Sequence, residues 1–166
     1  IAQCLVGSEM CIRDRNYCTT YLASFAQLAQ AQRHRTLIYE MSFLDEPKYY
    51  VPPIIKGTKL EEEWLKDISS LEDFYPQGML VKVNERGTLE NFILKCTERL
   101  CGAAQLEIME QTDRIMKKYL EATKEKNPEI YEELLPYSKG ARCTFPGWKC
   151  TTPCVFGPKN AMKRKI

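Results

Sequence analysis

Two guanidiniums flank an imidazole at Arg33-His34-Arg35, and Glu40 and Ser42 follow five and seven residues beyond Arg35. Such a cluster offers dense hydrogen-bond donors for phosphates and for the carbonyl edge of a flavin or pyrimidine, with a carboxylate and a hydroxyl to grip a nucleotide sugar or base. Read without its surroundings, a short basic run equally describes a solvated helix end. Arg99 lies much farther along the chain, where the plain reading of its guanidinium is a surface ion pair with Glu98 or another carboxylate. The chain has eight cysteines. Cys96 and Cys101 fall on a helical pattern and read as small buried residues. Cys143, Cys150 and Cys154 sit in a Gly/Pro-rich tail, separated by six and then three residues. They offer thiolates for zinc or an iron–sulfur cluster with a fourth ligand, although the spacing is not that of a finger motif, and unliganded thiols are the plainer reading.

The elements that position these residues follow from the hydrophobic pattern. Tyr17 to Tyr21 reads as a strand and Ala23 to Arg33 as a helix, which delivers the Arg-His-Arg run at a helix end. Asp45 to Gly57 carries three prolines and reads as loop or extended chain. Thr58 to Glu61 matches a capping box, and Leu60, Trp64, Leu65 and Ile68 then share a helical face ending near Ile68. Pro76 to Gly78 is a turn, Met79 to Val83 a short buried strand, and Asn84 to Gly87 a second turn. Thr88 caps a helix in which Leu89, Phe92, Ile93, Cys96 and Leu100 recur at helical steps. The pattern continues through Ala104, Ile108, Ile115 and Tyr119 with a bend at Gly102, and Asn127-Pro128 starts a shorter helix ending at Pro136. The expected fold class is α+β, a helix-rich single domain with a small sheet.

Placed on these elements, the motifs resemble those of the flavin-dependent thymidylate synthases, also called thymidylate synthase X. QAQRHRTLIYEMS is similar to that family's RHRxxSxxExS signature with its preceding glutamine: Gln30, Arg33, His34, Arg35, Glu40 and Ser42 match, with one residue fewer in between and Ile38 where a serine stands. GTLENFILKCTERL resembles the family's G-N-L-R-N-W helix and brings Arg99 onto the catalytic arginine. RLCGAAQLEI resembles RLCxxAQWEI with Leu106 in place of tryptophan, and the tail GxxC(x6)C resembles the end of many members. Together the matches cover about Asn16 to Gly157.

The resemblance implies methylation of dUMP to dTMP with methylenetetrahydrofolate, with FAD as hydride carrier and NADPH as its reductant. It implies that Gln30, Arg33, Glu40, Ser42 and Arg99 hold dUMP, that Arg33, His34 and Arg35 touch FAD, and that Arg99 is catalytic, stabilising negative charge at the N3/O4 edge of uracil. No cysteine nucleophile is needed on that route. The family builds each site from several subunits of a tetramer, so a homotetramer or a hetero-oligomer with a paralogue is expected. Three further positions depart from the family. Thr88 and Glu90 stand where an asparagine and an arginine bind FAD, and Glu72 stands where an arginine contacts dUMP. Charge reversal beside a phosphate is unfavourable. The alternative is therefore a catalytically impaired paralogue or subunit; a cysteine-metal interaction module is a further alternative.

Composition narrows the classes. The 166 residues suit one core-forming domain. A net charge of +2 with 28% charged residues gives no field that marks a nucleic-acid or membrane binder. Neither a membrane span nor a signal peptide is read, so a cytoplasmic protein with dUMP and folate as partners, no membrane and no nucleic acid, is expected. Met10 to Arg15, MCIRDR, resembles one reading frame of a transposon-end adapter used in sequencing libraries. Residues 1–15 are accordingly set aside as an adapter-like segment, with 16–157 the synthase-like domain and 158–166 a solvated basic tail. The family's N-terminal segment is expected to be missing.

Overall fold

The sheet is centred on its last strand. In the computed structural model, which describes residues 15–151 and 154–165, β1 (Asn16–Ser24), β2 (Ile38–Ser42) and β3 (Leu80–Thr88) form an antiparallel sheet in the order β1-β3-β2. The helices are α1 (Phe25–Ala31), α2 (Lys59–Ser69), α3 (Leu89–Arg99), α4 (Leu106–Lys126), α5 (Pro128–Leu134) and the short α6 (Gly157–Asn160). This is the α+β architecture expected from the pattern.

Alternation along the strands decides which side chains meet the helices. Val81, Val83 and Glu85 point inward from β3, beside Tyr17, Thr19, Tyr21 and Ala23 of β1, and all seven are buried. Over them lies α3, whose Phe92 stacks on Tyr17 with ring centroids 4.4 Å apart. Tyr119 of α4 completes the aromatic group, with centroids 5.2 Å from Tyr17 and 5.7 Å from Phe92. Each such ring taken fully out of water contributes about 1.5–3 kcal/mol. Ala31, Ala104, Leu106, Ile108 and Met109 form a second apolar group where α1 meets α4.

One inward position is charged. Glu85 and Lys95, one on β3 and one on α3, are both completely buried and joined at 2.5 Å. Tyr17 donates its hydroxyl to the other carboxylate oxygen of Glu85 at 2.8 Å, and Tyr21 donates to the oxygen shared with Lys95. Two strands and a helix are thus tied at one carboxylate.

Several expectations are corrected. Asn84 to Gly87 is not a turn: β3 runs unbroken to Thr88, because both flanking strands pair with it across those residues. Ile38–Ser42 is a strand that the sequence reading did not anticipate. Its apolar residues Ile38 and Met41 are exposed, so no clean alternation marks it. α1 is shorter than Ala23 to Arg33, because Ala23 and Ser24 remain in β1, where Ser24 caps the helix by accepting from the N–H of Gln27. The helix beginning at Leu89 does not bend at Gly102 but ends at Arg99; α4 starts afresh at Leu106, and Cys101 lies between them, half-buried and not helical. The basic tail is not wholly solvated: Ala161 is buried and Arg164 donates to the carbonyl of Ala104. Residues 1–14, including Cys4, Cys11 and nearly all of the adapter-like segment, lie outside the described residues. Arg15, the last residue of that segment, bridges Glu90 and Glu133 at 2.5 and 2.8 Å. Among the described residues no helix is long and apolar enough to cross a membrane.

Removing one member of the buried pair strands the other charge, which costs about 3–5 kcal/mol. Lys95→Met is expected to lower the urea-derived unfolding free energy by about that amount, and adding Glu85→Gln should restore part of it. An unchanged urea midpoint for Lys95→Met would mean that the pair is not desolvated.

Candidate functional site

The Arg-His-Arg run occupies a tight turn between α1 and β2. The N–H of His34 donates to the carbonyl of Ala31 at 2.9 Å, and the N–H of Leu37 donates back to the carbonyl of His34 at 3.1 Å. Leu37 is buried against Gly87, where an added Cβ would stand 2.6 Å from the leucine Cδ2. Glycine at 87 therefore lets the turn approach the sheet. Asn91 on α3 fastens it further by donating its side-chain amide to the carbonyl of Thr36 at 3.0 Å. The consequence is an alternating presentation, with His34 buried and Arg33 and Arg35 exposed.

Arg99 reaches this turn from the end of α3. Its Nε donates to Nε2 of His34 at 2.7 Å and its Nη2 to the carbonyl of Gln30 at 3.1 Å. The surface pairing with Glu98 does not form; Glu98 faces Arg142 at 3.8 Å instead. Lys95 sits one helical turn before Arg99, so both cations project from the same face of α3 toward the sheet. Tyr39 of β2 completes the group: its ring lies 6.0 Å from the Lys95 ammonium, and its buried hydroxyl has no hydrogen-bond partner among the described residues.

Electrostatics follow from this crowding. Burial, reinforced by the charges of Arg99 and Lys95, pushes His34 down from 6.5 to about 4. At neutral pH its Nε2 is therefore a lone-pair acceptor for Arg99. Burial also lowers Arg99 from its ordinary value, with Arg33 adding repulsion. The Tyr39 hydroxyl is pushed up, first by burial and then by Glu85.

Of the residues singled out from sequence, Gln30, His34 and Arg99 are thus brought into contact, with Gln30 contributing its backbone carbonyl. Arg33 and Arg35 flank them. Glu40 and Ser42 are not part of that contact: strand alternation turns them to the outer face of the sheet, opposite Tyr39. There Glu40 accepts from Arg86 at 2.7 Å and faces the Asn84 amide at 3.4 Å. Beyond Ser42 a cleft of about 300 Å³ is lined by Phe43, Asp45, Glu72, Asp73 and Tyr75 among others. Its three carboxylates disfavour a phosphate there. Thr88 is occupied in capping α3 through the N–H of Asn91. Glu90 is held by Arg15, which brings its carboxyl down to about 2.

Glu85, Lys95 and Tyr39 were missed by sequence reasoning. Two signals were available: Glu85 continues the inward alternation of Val81 and Val83, and Lys95 interrupts an apolar helical stripe one turn before Arg99. Cys96 is buried and its thiol is pushed up by that burial. Cys143 is half-buried, and Cys150 and Cys154 are exposed. Among the described residues no group of three or more His, Cys, Asp or Glu side chains could hold a metal ion.

No protein-family model matches the chain, and no curated protein matches it.

The His34 shift gives a pH signature with a definite sign. The unfolded chain takes up a proton near pH 6.5, whereas the folded one resists until about pH 4. Stability contributed by this group therefore falls as pH drops through that window, by at most about 1.4 kcal/mol per pH unit. His34→Gln, which keeps an acceptor for Arg99, should lose that part of the slope when urea midpoints of both proteins are compared from pH 4 to 7. Identical slopes would place the imidazole in water.

Proposed function

We propose that the chain acts in FAD-dependent methylation of dUMP to dTMP, with methylenetetrahydrofolate as methylene donor and NADPH as reductant. The observation that carries this reading is the meeting of Arg99 with the Arg-His-Arg turn: residues 65 positions apart, singled out by separate motifs, share a hydrogen bond. A cytoplasmic setting accords with these substrates.

The donor chemistry of the site fits the groups. Arg33 and Arg35 are exposed and make no ion pair among the described residues, leaving their planar forks for flavin or nucleotide phosphates. FAD, when bound, supplies the hydride chemistry. Arg99 acts on the pyrimidine. A guanidinium has five N–H donors, of which His34 and the Gln30 carbonyl take two, leaving three for the O4/N3 edge of uracil. Negative charge that develops there as C5 becomes nucleophilic is met by a cation already oriented, without reorganisation. His34 serves as the positioning residue for Arg99 and, being buried, offers FAD little surface.

Glu40 and Ser42 face away from Arg99 within one chain. In this reading they grip dUMP bound at a neighbouring subunit's Arg99, which accords with a homotetramer or a hetero-oligomer with a paralogue. Glu40 must then exchange Arg86 for a ligand hydroxyl.

The test is FAD binding followed by tritium release from dUMP labelled at C5. Arg99→Ala is expected to lower release by about a hundredfold or more while FAD still binds. Absence of FAD and dUMP binding at millimolar concentrations would sink the reading. The second reading, an impaired paralogue that completes its site with another chain, is favoured by Glu72 and Glu90. On it, Glu72→Arg with Glu90→Arg should raise flavin affinity; no gain would remove those charges as the cause.

A further inference from the structure

The free edge of β1 is closed at two points and open between them. Tyr119 of α4 accepts from the N–H of Cys18 at 2.9 Å and donates to its carbonyl at 2.7 Å, while Glu107 accepts from the N–H of Ser24 at 2.8 Å. Cys18 therefore turns both backbone groups away from β3. In an antiparallel pair that orientation recurs at every second residue, so Thr20 and Leu22 also face outward. Among the described residues nothing pairs with their N–H and C=O groups.

A cleft of about 330 Å³ opens along this stretch, lined by Thr19 to Leu22 on one side and by Gln111, Arg114, Ile115 and Lys118 of α4 on the other. Arg114 and Lys118 stand one helical turn apart, both exposed, and neither forms an ion pair among the described residues; the adjacent Lys117 is tied to Asp113. Arg114 donates to the Gln111 side chain at 2.8 Å and lies in the field of Glu107. Proteins usually blunt an open edge strand. Here the neighbouring helix staples its ends and leaves cations beside the gap.

A lone anion would use the N–H groups and the cations but leave two carbonyls unanswered. An extended peptide answers both, pairing its own backbone with Thr20 and Leu22. Three edge residues span roughly 10 Å, and the cleft volume is at the small end of ligand pockets, enough for the end of a chain. We propose that the cleft between β1 and α4 binds the carboxyl-terminal end of an extended acidic peptide, with its terminal carboxylate between Arg114 and Lys118.

The probe is a fluorescein-labelled peptide Gly-Ser-Glu-Val-Glu-Thr-Val, as free acid and as carboxyl-terminal amide, titrated by anisotropy against the full chain. Saturable binding of the acid at least about tenfold tighter than the amide is expected, weakened about tenfold or more by Arg114→Ala with Lys118→Ala and by Thr20→Pro. The first pair lies on an exposed helix face and tests the proposal even if Thr20→Pro fails to fold. No saturable binding at millimolar peptide, or equal binding of acid and amide, overturns it. So does inorganic phosphate displacing the peptide at equal concentration from a protein indifferent to Thr20→Pro, which would mark a simple anion site.

Discussion

A carboxylate without access to water must be neutralised by its surroundings, and at Glu85 of β3 those surroundings come from two other elements of the fold. Tyr17 and Tyr21 bring β1 and Lys95 brings α3. Replacing such a pair with apolar residues is often neutral or stabilising, whereas breaking it is costly. It therefore favours one docking of α3 on the sheet more than it adds stability. A sliding or rotation of α3 that a purely apolar face would tolerate strands two charges.

What that docking controls is the direction of Arg99. One turn beyond Lys95, it emerges on the same face and meets His34 in a turn held down by Gly87 and Asn91. His34 accepts because burial, reinforced by the neighbouring cations, keeps it neutral, so the packing that crowds the site also defines its hydrogen bonding. The sheet then divides the remaining polar residues. Tyr39 shares the inner face with this group, while Glu40 and Ser42 occupy the outer face. A ligand touching both sets either reaches round the edge strand β2 or binds between two chains, and the proposed synthase chemistry takes the second route.

The helical parts of this arrangement were legible in the sequence because their signals are local. The Thr58 and Thr88 caps and the Leu89-Phe92-Cys96 stripe are written within one or two turns, and the structure keeps them. The sheet was legible only in part. β2 is largely exposed, so burial imposes no alternation on Ile38–Ser42, and the length of β3 depends on strands far away in sequence. The Arg-His-Arg run stood out by residue type, and Arg99 through the motif that its helix resembles. Their contact did not, since it follows from how α3 docks, and that rests on Glu85 and Lys95, whose charges argue against burial until the partner is known. Glu40 and Ser42 were grouped with Arg33 by proximity in sequence, whereas the one-residue alternation of a strand sends them to the other face.

The chain contains one histidine, which makes the contact directly observable. Nitrogen-15 NMR of the imidazole at neutral pH should show a neutral ring with its proton on Nδ1, leaving Nε2 to accept from Arg99. Lys95→Met should shift that spectrum even though Lys95 makes no hydrogen bond to the ring. A proton on Nε2, or a mixture of tautomers untouched by Lys95→Met, would contradict the account that the buried pair sets Arg99 on His34.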